Sequence, residues 1–548
     1  MKRIAYILLF CLIVVSSISA QNKEIKNVIL MIPDGTSLAA VSSARWYQRY
    51  NEPSKLNLNI DPYLCGTVLT FSSNAPIGDS APTTSCFMTG YPSRAGYVST
   101  YPVADPDNDI LPMDPNRAYQ PLMTVLEAAR ITKNKATGLV FTCEFPHATP
   151  ADCAAHSYNR GKYNAIAPQM AHNDLDVVIG GGVSLLNEES KNYLLNKGYG
   201  VFMNDIENFR SYKGNKMWSL FCDKEMAYDI DRDPSKEPSL AEMTQKAIEK
   251  LSTHQNGFFL MVEGSKIDWA AHANDAAAII TDMLAFDKAC GVALEFARSN
   301  GETVVVIVPD HGNSGISIGS SKCPHYGRLT KDELFQNISQ FKTSGEGLVK
   351  KLYETDPSEI RDVVKNLTGI ELTDDEYMEM LKSGDYRKSS LSDEERMKGT
   401  NLVKTVNKIL DNHTCFGFTT GGHTGEEVFL AVYDPTPNRL MGHKTNVELN
   451  HYLRQSVGLD QSLEQLTDEY FAKHTDVFSG YTYSIKEVKD EAPVLEVKNK
   501  KQKLEIRPNT NIVKWNGKDH QLNSVIVYVD KNNTFYLPES LKELLAKK

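Results

Sequence analysis

Six short runs along the chain are apolar and rich in β-branched or aromatic residues, without the polar alternation of a half-wet strand: NVILMIP (27–33), TGLVFT (137–142), DVVIGGG (176–182), GFFLMVE (257–263), TVVVIVP (303–309) and VFLAVY (428–433). Runs of that length read as strands buried on both faces. Between them apolar residues recur at helical spacing around 121–130, over 239–252, and in one long stretch from 268 to about 298. Strand alternating with helix predicts an α/β fold, a mostly parallel central sheet with helices on both faces.

The pattern changes twice. Between about 331 and 412 the segments become charged and amphipathic, and Asp356-Pro-Ser-Glu359, Thr373-Asp-Asp-Glu376 and Ser392-Asp-Glu-Glu395 read as successive helix starts, with Pro357 suited to a first turn. This predicts a helical insertion on the sheet domain. After about Phe478, strand-like runs alternate with Asn-Gly and Lys-Asn-Asn turns and close on a helix, predicting a small C-terminal α+β module. The expected organisation is a leader over 1–20, a catalytic unit over 21–478 and an accessory module over 479–548.

The leader follows from a basic start, an apolar run from Ile4 to Val15 and then small residues, too short to span a bilayer. Its removal would take Lys2 and Arg3, so the formal charge of −10 becomes −12. That predicts an exported protein, periplasmic or extracellular, with no transmembrane segment after processing. An acidic balance with no basic stripe argues against nucleic acid as a required partner. Eight cysteines remain beyond Cys11 and none forms a Cys-x-x-Cys pair, so a thiolate zinc site is not expected and several buried free thiols are. The sequence selects no disulfide pairing.

Chemistry concentrates where the strands end. Asp34 follows the first run, His147 and Thr149 follow the second, Glu263 closes the fourth, and Asp310-His311 follow the fifth. In an open parallel sheet the carboxyl ends of strands face one crevice, so these groups can converge although far apart in sequence. A lone aspartate after a strand is ordinarily a turn or cap residue; five such groups on one edge point to a site. Asp268 and His272 stand at i and i+4, a spacing that puts both on one helix face and suits zinc. The glycines 180–182 end a run with no Gly-Lys-Ser/Thr after them, so they predict a tight turn rather than a phosphate loop.

Six segments together resemble the alkaline phosphatases: IPDG (32–35), GDSAPTTS (78–85), HATPADCAAHSYNR (147–160), VEGSKIDWAAH (262–272), VPDHG (308–312) and GGHTGEE (421–427), in that family's order and spanning roughly 25–455. The resemblance implies two zinc ions and one magnesium. It gives Asp268, His272 and His423 to the first zinc, and Asp34, Asp310 and His311 to the second, with Ser80 as its reactive ligand. Asp34 would bridge onward to magnesium, joined by Thr149 and Glu263. Ser80 becomes the nucleophile that carries a phosphoserine intermediate, Arg160 the phosphate clamp, and Asp79 its orienting carboxylate. Thr83, Thr84 and Ser85 are expected to be capping or first-turn hydroxyls. His147 and Trp269 stand where some relatives have Asp and Lys, which bears on the third metal and on water contacts to the phosphate.

The implied activity is hydrolysis of phosphate monoesters, with a homodimer as the family expectation. A phosphodiesterase or sulfatase of the same superfamily is the alternative, although the Cys-x-Pro-x-Arg motif expected of sulfatases is absent. A non-catalytic surface binding protein would have lost a ligand or the nucleophile, and none is lost. The C-terminal module weakly resembles small secreted β-rich accessory modules that bind surfaces or polymers, and no catalytic role is expected of it.

Overall fold

The apolar runs become strands, and their burial explains why they carry no polar face. The computed structural model describes residues 24–383, 402–489 and 491–546. Ten strands form its main sheet: β1 (Asn27–Ile32), β2 (Leu64–Leu69), β3 (Ala136–Glu144), β4 (Val177–Gly181), β5 (Gly200–Met203), β6 (Met217–Leu220), β7 (Phe258–Glu263), β8 (Thr303–Ile307), β9 (Val428–Tyr433) and β10 (Gly442–Thr445). Their order is β10-β2-β9-β8-β1-β7-β3-β4-β6-β5. The central pairs are parallel, with β1 between β7 and β8 and β3 between β7 and β4. Every residue of β1, β4, β7 and β8 is buried, between one apolar layer on each face of the sheet.

The fold is therefore the expected α/β arrangement, with one antiparallel element: β9 runs against both β8 and β2. Four strands, β2, β5, β6 and β10, carry no sequence signal strong enough to stand out. They are four to six residues long, and β2, β5 and β10 are mostly half-exposed or exposed toward the ends of the sheet. Short edge strands need no continuous apolar run.

Helix starts follow side-chain caps. Thr124 and Glu127 form a capping box ahead of Val125–Lys133, and Ser239 accepts from the Glu242 amide ahead of Leu240–Leu251. The long helix expected over 268–298 is instead two, Lys266–His272 and Ala276–Asn300. Asn274 takes a left-handed φ of 53° and Asp275 caps the second helix by accepting from the Ala278 amide at 3.0 Å. Apolar periodicity continues through such a break, which is why the pattern hid it.

In the insertion, Asp356 and Thr373 cap as expected, and helices Gly345–Tyr353, Ile360–Thr368, Asp374–Lys382 and Leu402–Asn412 carry apolar faces into the same core as the sheet. The start at Ser392 lies outside the described residues, as does the 1–20 leader. The 331–412 segment grips the helix break: Gly345 N donates to Asp275, and Asn407 donates to the Ala273 carbonyl at 2.8 Å, next to His272. A disulfide joins Cys323 to Cys415, 92 residues apart and on either side of the 331–412 segment. Closing a loop of that length is worth on the order of 4 kcal/mol against the unfolded chain. Cys86, Cys143, Cys153 and Cys290 are buried free thiols.

The C-terminal residues form a five-stranded antiparallel sheet over 482–521 and a three-stranded sheet that pairs Thr534–Leu537 with both Val527–Val529 and Ala472–Lys473. Asn516-Gly517, both at positive φ, make the hairpin turn between Ile512–Trp515 and Lys518–Gln521. Val525, Val527, Val529 and Tyr536 pack into the apolar layer of the main sheet. No helix among the described residues is long and apolar enough to cross a membrane.

Candidate active site

Because β1, β7, β3 and β8 are parallel neighbours, their carboxyl ends lie on one edge, and the polar groups that follow them meet there. Asp34 comes two residues after β1, Glu263 is the last residue of β7, and Asp310-His311 follow β8 after Val308-Pro309. Gly35, at φ +61°, makes the approach possible: a Cβ there would stand 2.4 Å from Asp268 Oδ1. Gly35 N and His311 N both donate to Asp310 Oδ1, at 3.1 and 3.0 Å, which fixes that carboxylate with Oδ2 left over.

One triad consists of Asp268 and His272, from the helix Lys266–His272, with His423. His423 is carried by the two-residue strand His423–Thr424, paired with Gly312–Asn313. Its Nε2 lies 3.1 Å from His272 Nε2, and the two nitrogens stand 3.6 and 3.4 Å from Asp268 oxygens. Each imidazole sets its other nitrogen against a backbone carbonyl, His272 Nδ1 on Gly421 at 2.9 Å and His423 Nδ1 on Gly78 at 2.8 Å. A ring that donates from Nδ1 presents a lone pair at Nε2, as a metal ligand requires. Two nitrogens sharing one tetrahedral zinc stand about 3.3 Å apart, close to the spacing here.

Asp34, Asp310 and His311 converge beside it, with His311 Nε2 3.4 Å from both Asp34 Oδ1 and Asp310 Oδ2. Asp268 also lies in reach of Asp34 and His311, so the two groups adjoin. Ser80 opens the helix Ser80–Thr89 with its Oγ 3.4 Å from His311 Nε2. Asp79 occupies the N-cap position but makes no side-chain cap, because its carboxylate takes Arg160 at 2.8 Å instead. The other hydroxyls of this stretch do not cap: Thr83 donates back to the Asp79 carbonyl at 2.7 Å, while Thr84 and Ser85 Oγ atoms are buried without partners. Pro82 sits in the first turn, where its missing N–H costs nothing.

A third group surrounds Glu263. Thr149, from the helix Ala148–Ala154, is fully buried. His147 precedes that helix and accepts from Arg160 at its Nε2, 3.0 Å away. Trp269 is half-buried, packs edge-on to His147 at 5.7 Å and covers Lys266. The donor atoms that close within 4.8 Å of one another are those of Cys143, His147 and Glu263. Cys143, near the end of β3, carried no sequence signal, since a lone cysteine in an apolar run reads as core.

The electrostatics demand cations. Asp34 Oδ1 and Oδ2, Asp310 Oδ2, Glu263 Oε1, Thr149 Oγ1 and His147 Nδ1 are buried with no hydrogen-bond partner. Burial, reinforced by Asp310, Asp268 and Glu263, holds the Asp34 carboxyl well above its usual range. Burial likewise pushes Glu263 up to about 8, with Asp310 adding to it. Burial would lower His311, but Asp310, Asp268 and Asp79 outweigh it and raise it. Burial and the Arg160 charge bring His147 down to about 3, so its ring is neutral. Carboxylates crowded in a dry pocket stay ionised when metals neutralise them, and the donor set of oxygen and imidazole fits divalent ions.

Sequence reasoning missed Asp530 as well. It lies in the C-terminal segment, accepts from the Tyr158 hydroxyl at 2.6 Å and pairs with Lys162 at 3.1 Å, on either side of Arg160. Asp530→Ala is expected to raise KM for a phosphate ester about two- to fivefold with little change in kcat, because a half-exposed pair that steadies the loop is worth under ~1 kcal/mol. Steady-state kinetics on that variant check it.

The family model for alkaline phosphatase matches residues 25–459. Alkaline phosphatase 3 of Bacillus subtilis is 31% identical over 452 residues, covering 79% of this chain and 90% of its own; alkaline phosphatase 4 of the same organism is 32% identical over 447 residues, covering 79% and 89%. The crystal structure of a cold-active alkaline phosphatase from Shewanella sp. superimposes with a TM-score of 0.67 at 26% identity, covering 79% of this chain and all of its own. Sheet, site and relatives together place this chain in the alkaline phosphatase family, whose members hydrolyse phosphate monoesters.

Proposed function

We propose that the chain hydrolyses phosphate monoesters through a phosphoserine on Ser80, in an exported catalytic unit over 21–478 that carries an accessory module over 479–548. The carrying observation is the set of partnerless buried oxygens beside Ser80. Asp268, His272 and His423 would hold one zinc, Asp34, Asp310 and His311 a second, and Asp34, Thr149 and Glu263 the third ion that the family pattern makes magnesium. Such ions supply Lewis acidity, lowering the pKa of the Ser80 hydroxyl and of water and neutralising charge on the leaving oxygen.

The chain's own groups do the rest. Arg160 grips two phosphate oxygens and is aimed by Asp79, whose own carboxyl the Arg160 charge holds below its usual range against the effect of burial. The amide end of helix Ser80–Thr89 faces the same anion. Ser80 Oγ, its proton lost to solvent, attacks phosphorus as the ester oxygen departs with the bonding pair and takes a proton from water. A second water then attacks the phosphoserine, the Oγ–P bond breaks, Ser80 recovers a proton and inorganic phosphate leaves. Export fits the Cys323–Cys415 disulfide, and a homodimer belongs to the same reading.

The test is turnover of a chromogenic aryl phosphate at alkaline pH against a bis-aryl phosphate and an aryl sulfate. Monoester preference of at least about tenfold is expected, since the clamp is built for a dianion. Preference for diester or sulfate would keep the fold and replace the substrate class. No turnover with zinc bound would leave a surface binding protein.

A further inference from the structure

We propose that Cys143 is a metal ligand, and that with His147 and Glu263 it makes the third cation site a mixed sulfur, nitrogen and oxygen site that takes zinc or cobalt in preference to magnesium. This rests on the reading above and changes one part of it, the third cation site, in both its ion and the ligands that join Glu263.

The ligand atoms of Cys143, His147 and Glu263 lie within 4.8 Å of one another. Cys143 Sγ is fully buried at the margin of an apolar layer and lies 3.4 Å from Glu263 Oε2, so the sulfur has a carboxylate beside it. Glu263 Oε1 and Thr149 Oγ1, both on completely buried residues, and His147 Nδ1 are without partners. A thiol, a carboxylate and an imidazole brought together in the interior, with unsatisfied polar atoms on the last two, describe a missing cation better than a packed core. Magnesium demands near-octahedral oxygen and sheds water reluctantly, whereas thiolate and imidazole suit zinc.

Binding has a defined balance. The metal–sulfur bond forms as the thiol proton leaves to solvent, Glu263 also gives up to solvent the proton it holds in the metal-free site, and His147, already neutral, adds no further proton change. It also reaches the substrate clamp. Arg160 can only donate, so its 3.0 Å contact requires a lone pair at His147 Nε2 and hence the proton at Nδ1. A cation held at Nδ1 reverses that tautomer, turns Nε2 into a donor and releases this arm of Arg160, which keeps Asp79 and gains freedom to meet phosphate.

The experiment is cobalt titration of the metal-free full-length protein, read by absorption, with metal content measured after dialysis against mixed zinc and magnesium. Three bound ions are expected, the third bringing a sulfur-to-cobalt charge-transfer band in the near ultraviolet that Cys143→Ser and Cys143→Ala both lack. Wild type is expected to retain a third zinc in excess magnesium, and Cys143→Ser to lose preference for it by at least about tenfold. Three cobalt ions with no such band in the wild type would overturn the assignment and leave the thiol as a hydrogen-bond donor to Glu263. A band that persists in both variants would overturn it too, because the sulfur would then come from elsewhere. Normal monoester turnover with two ions and no band defeats this inference alone; loss of turnover with zinc bound defeats the phosphatase reading instead.

Discussion

Ser80→Ala is expected to lower kcat/KM for an aryl phosphate by at least about 10³-fold while leaving metal content and the thermal midpoint nearly unchanged. The residue opens a fully buried helix, and alanine is the best helix former, so the change removes one oxygen and little else. Its Oγ is the hydroxyl set against His311, whereas the neighbouring Thr83 hydroxyl is spent on the Asp79 carbonyl. Residual turnover above water is expected, because Arg160 and the metal ligands would still bind and polarise the ester. Acid quenching of the working enzyme should trap phosphate on the wild-type protein and none on the variant. If Ser80→Ala keeps wild-type turnover, the phosphoserine route falls and direct attack by water takes its place.

Much of this site was legible because a parallel sheet turns sequence order into spatial order. Asp34, Glu263 and Asp310-His311 each end or follow an apolar run, and the parallel register of β1 with β7 and β8 brings them to one edge without further assumption. His423 was different: no run announces it, since the two-residue strand that holds it exists only by pairing with Gly312–Asn313. The resemblance found it, and periodicity did not. Cys143 and Asp530 were illegible for opposite reasons. The first directly follows an apolar run, between Thr142 and Glu144, where a lone cysteine reads as core, and the second lies in a segment remote from every motif, where only tertiary contact with Tyr158 and Lys162 gives it meaning. The break between His272 and Ala276 escaped notice because helical periodicity continues across it, and the Asp275 cap competes with no change in hydrophobicity.

Stripping the metals is expected to invert the pH dependence of stability. In the metal-free protein, burial raises Glu263 from its ordinary value near 4.5 to about 8, and raises Asp34 by the same cause with help from Asp310, Asp268 and Glu263. The folded chain then holds protons that the unfolded chain has released, throughout the interval between the unfolded and folded values. Stability is fully present below the unfolded value and is lost as pH rises through the folded one. For Glu263 alone the loss amounts to roughly 3–5 kcal/mol. His311 is raised and acts in the same direction, while His423, lowered by burial and by His311, acts in the other. Bound ions reverse the dominant contribution, since ligands must be deprotonated to bind and acid displaces the metal. Thermal midpoints at about pH 5 and about pH 9 should therefore fall with pH for chelated protein and rise for the zinc-loaded form. Taking the difference between the two forms cancels groups that the metals do not affect. A chelated protein equally stable at both pH values would mean that water reaches these carboxylates, and that metals are not what the buried oxygens at the strand ends require.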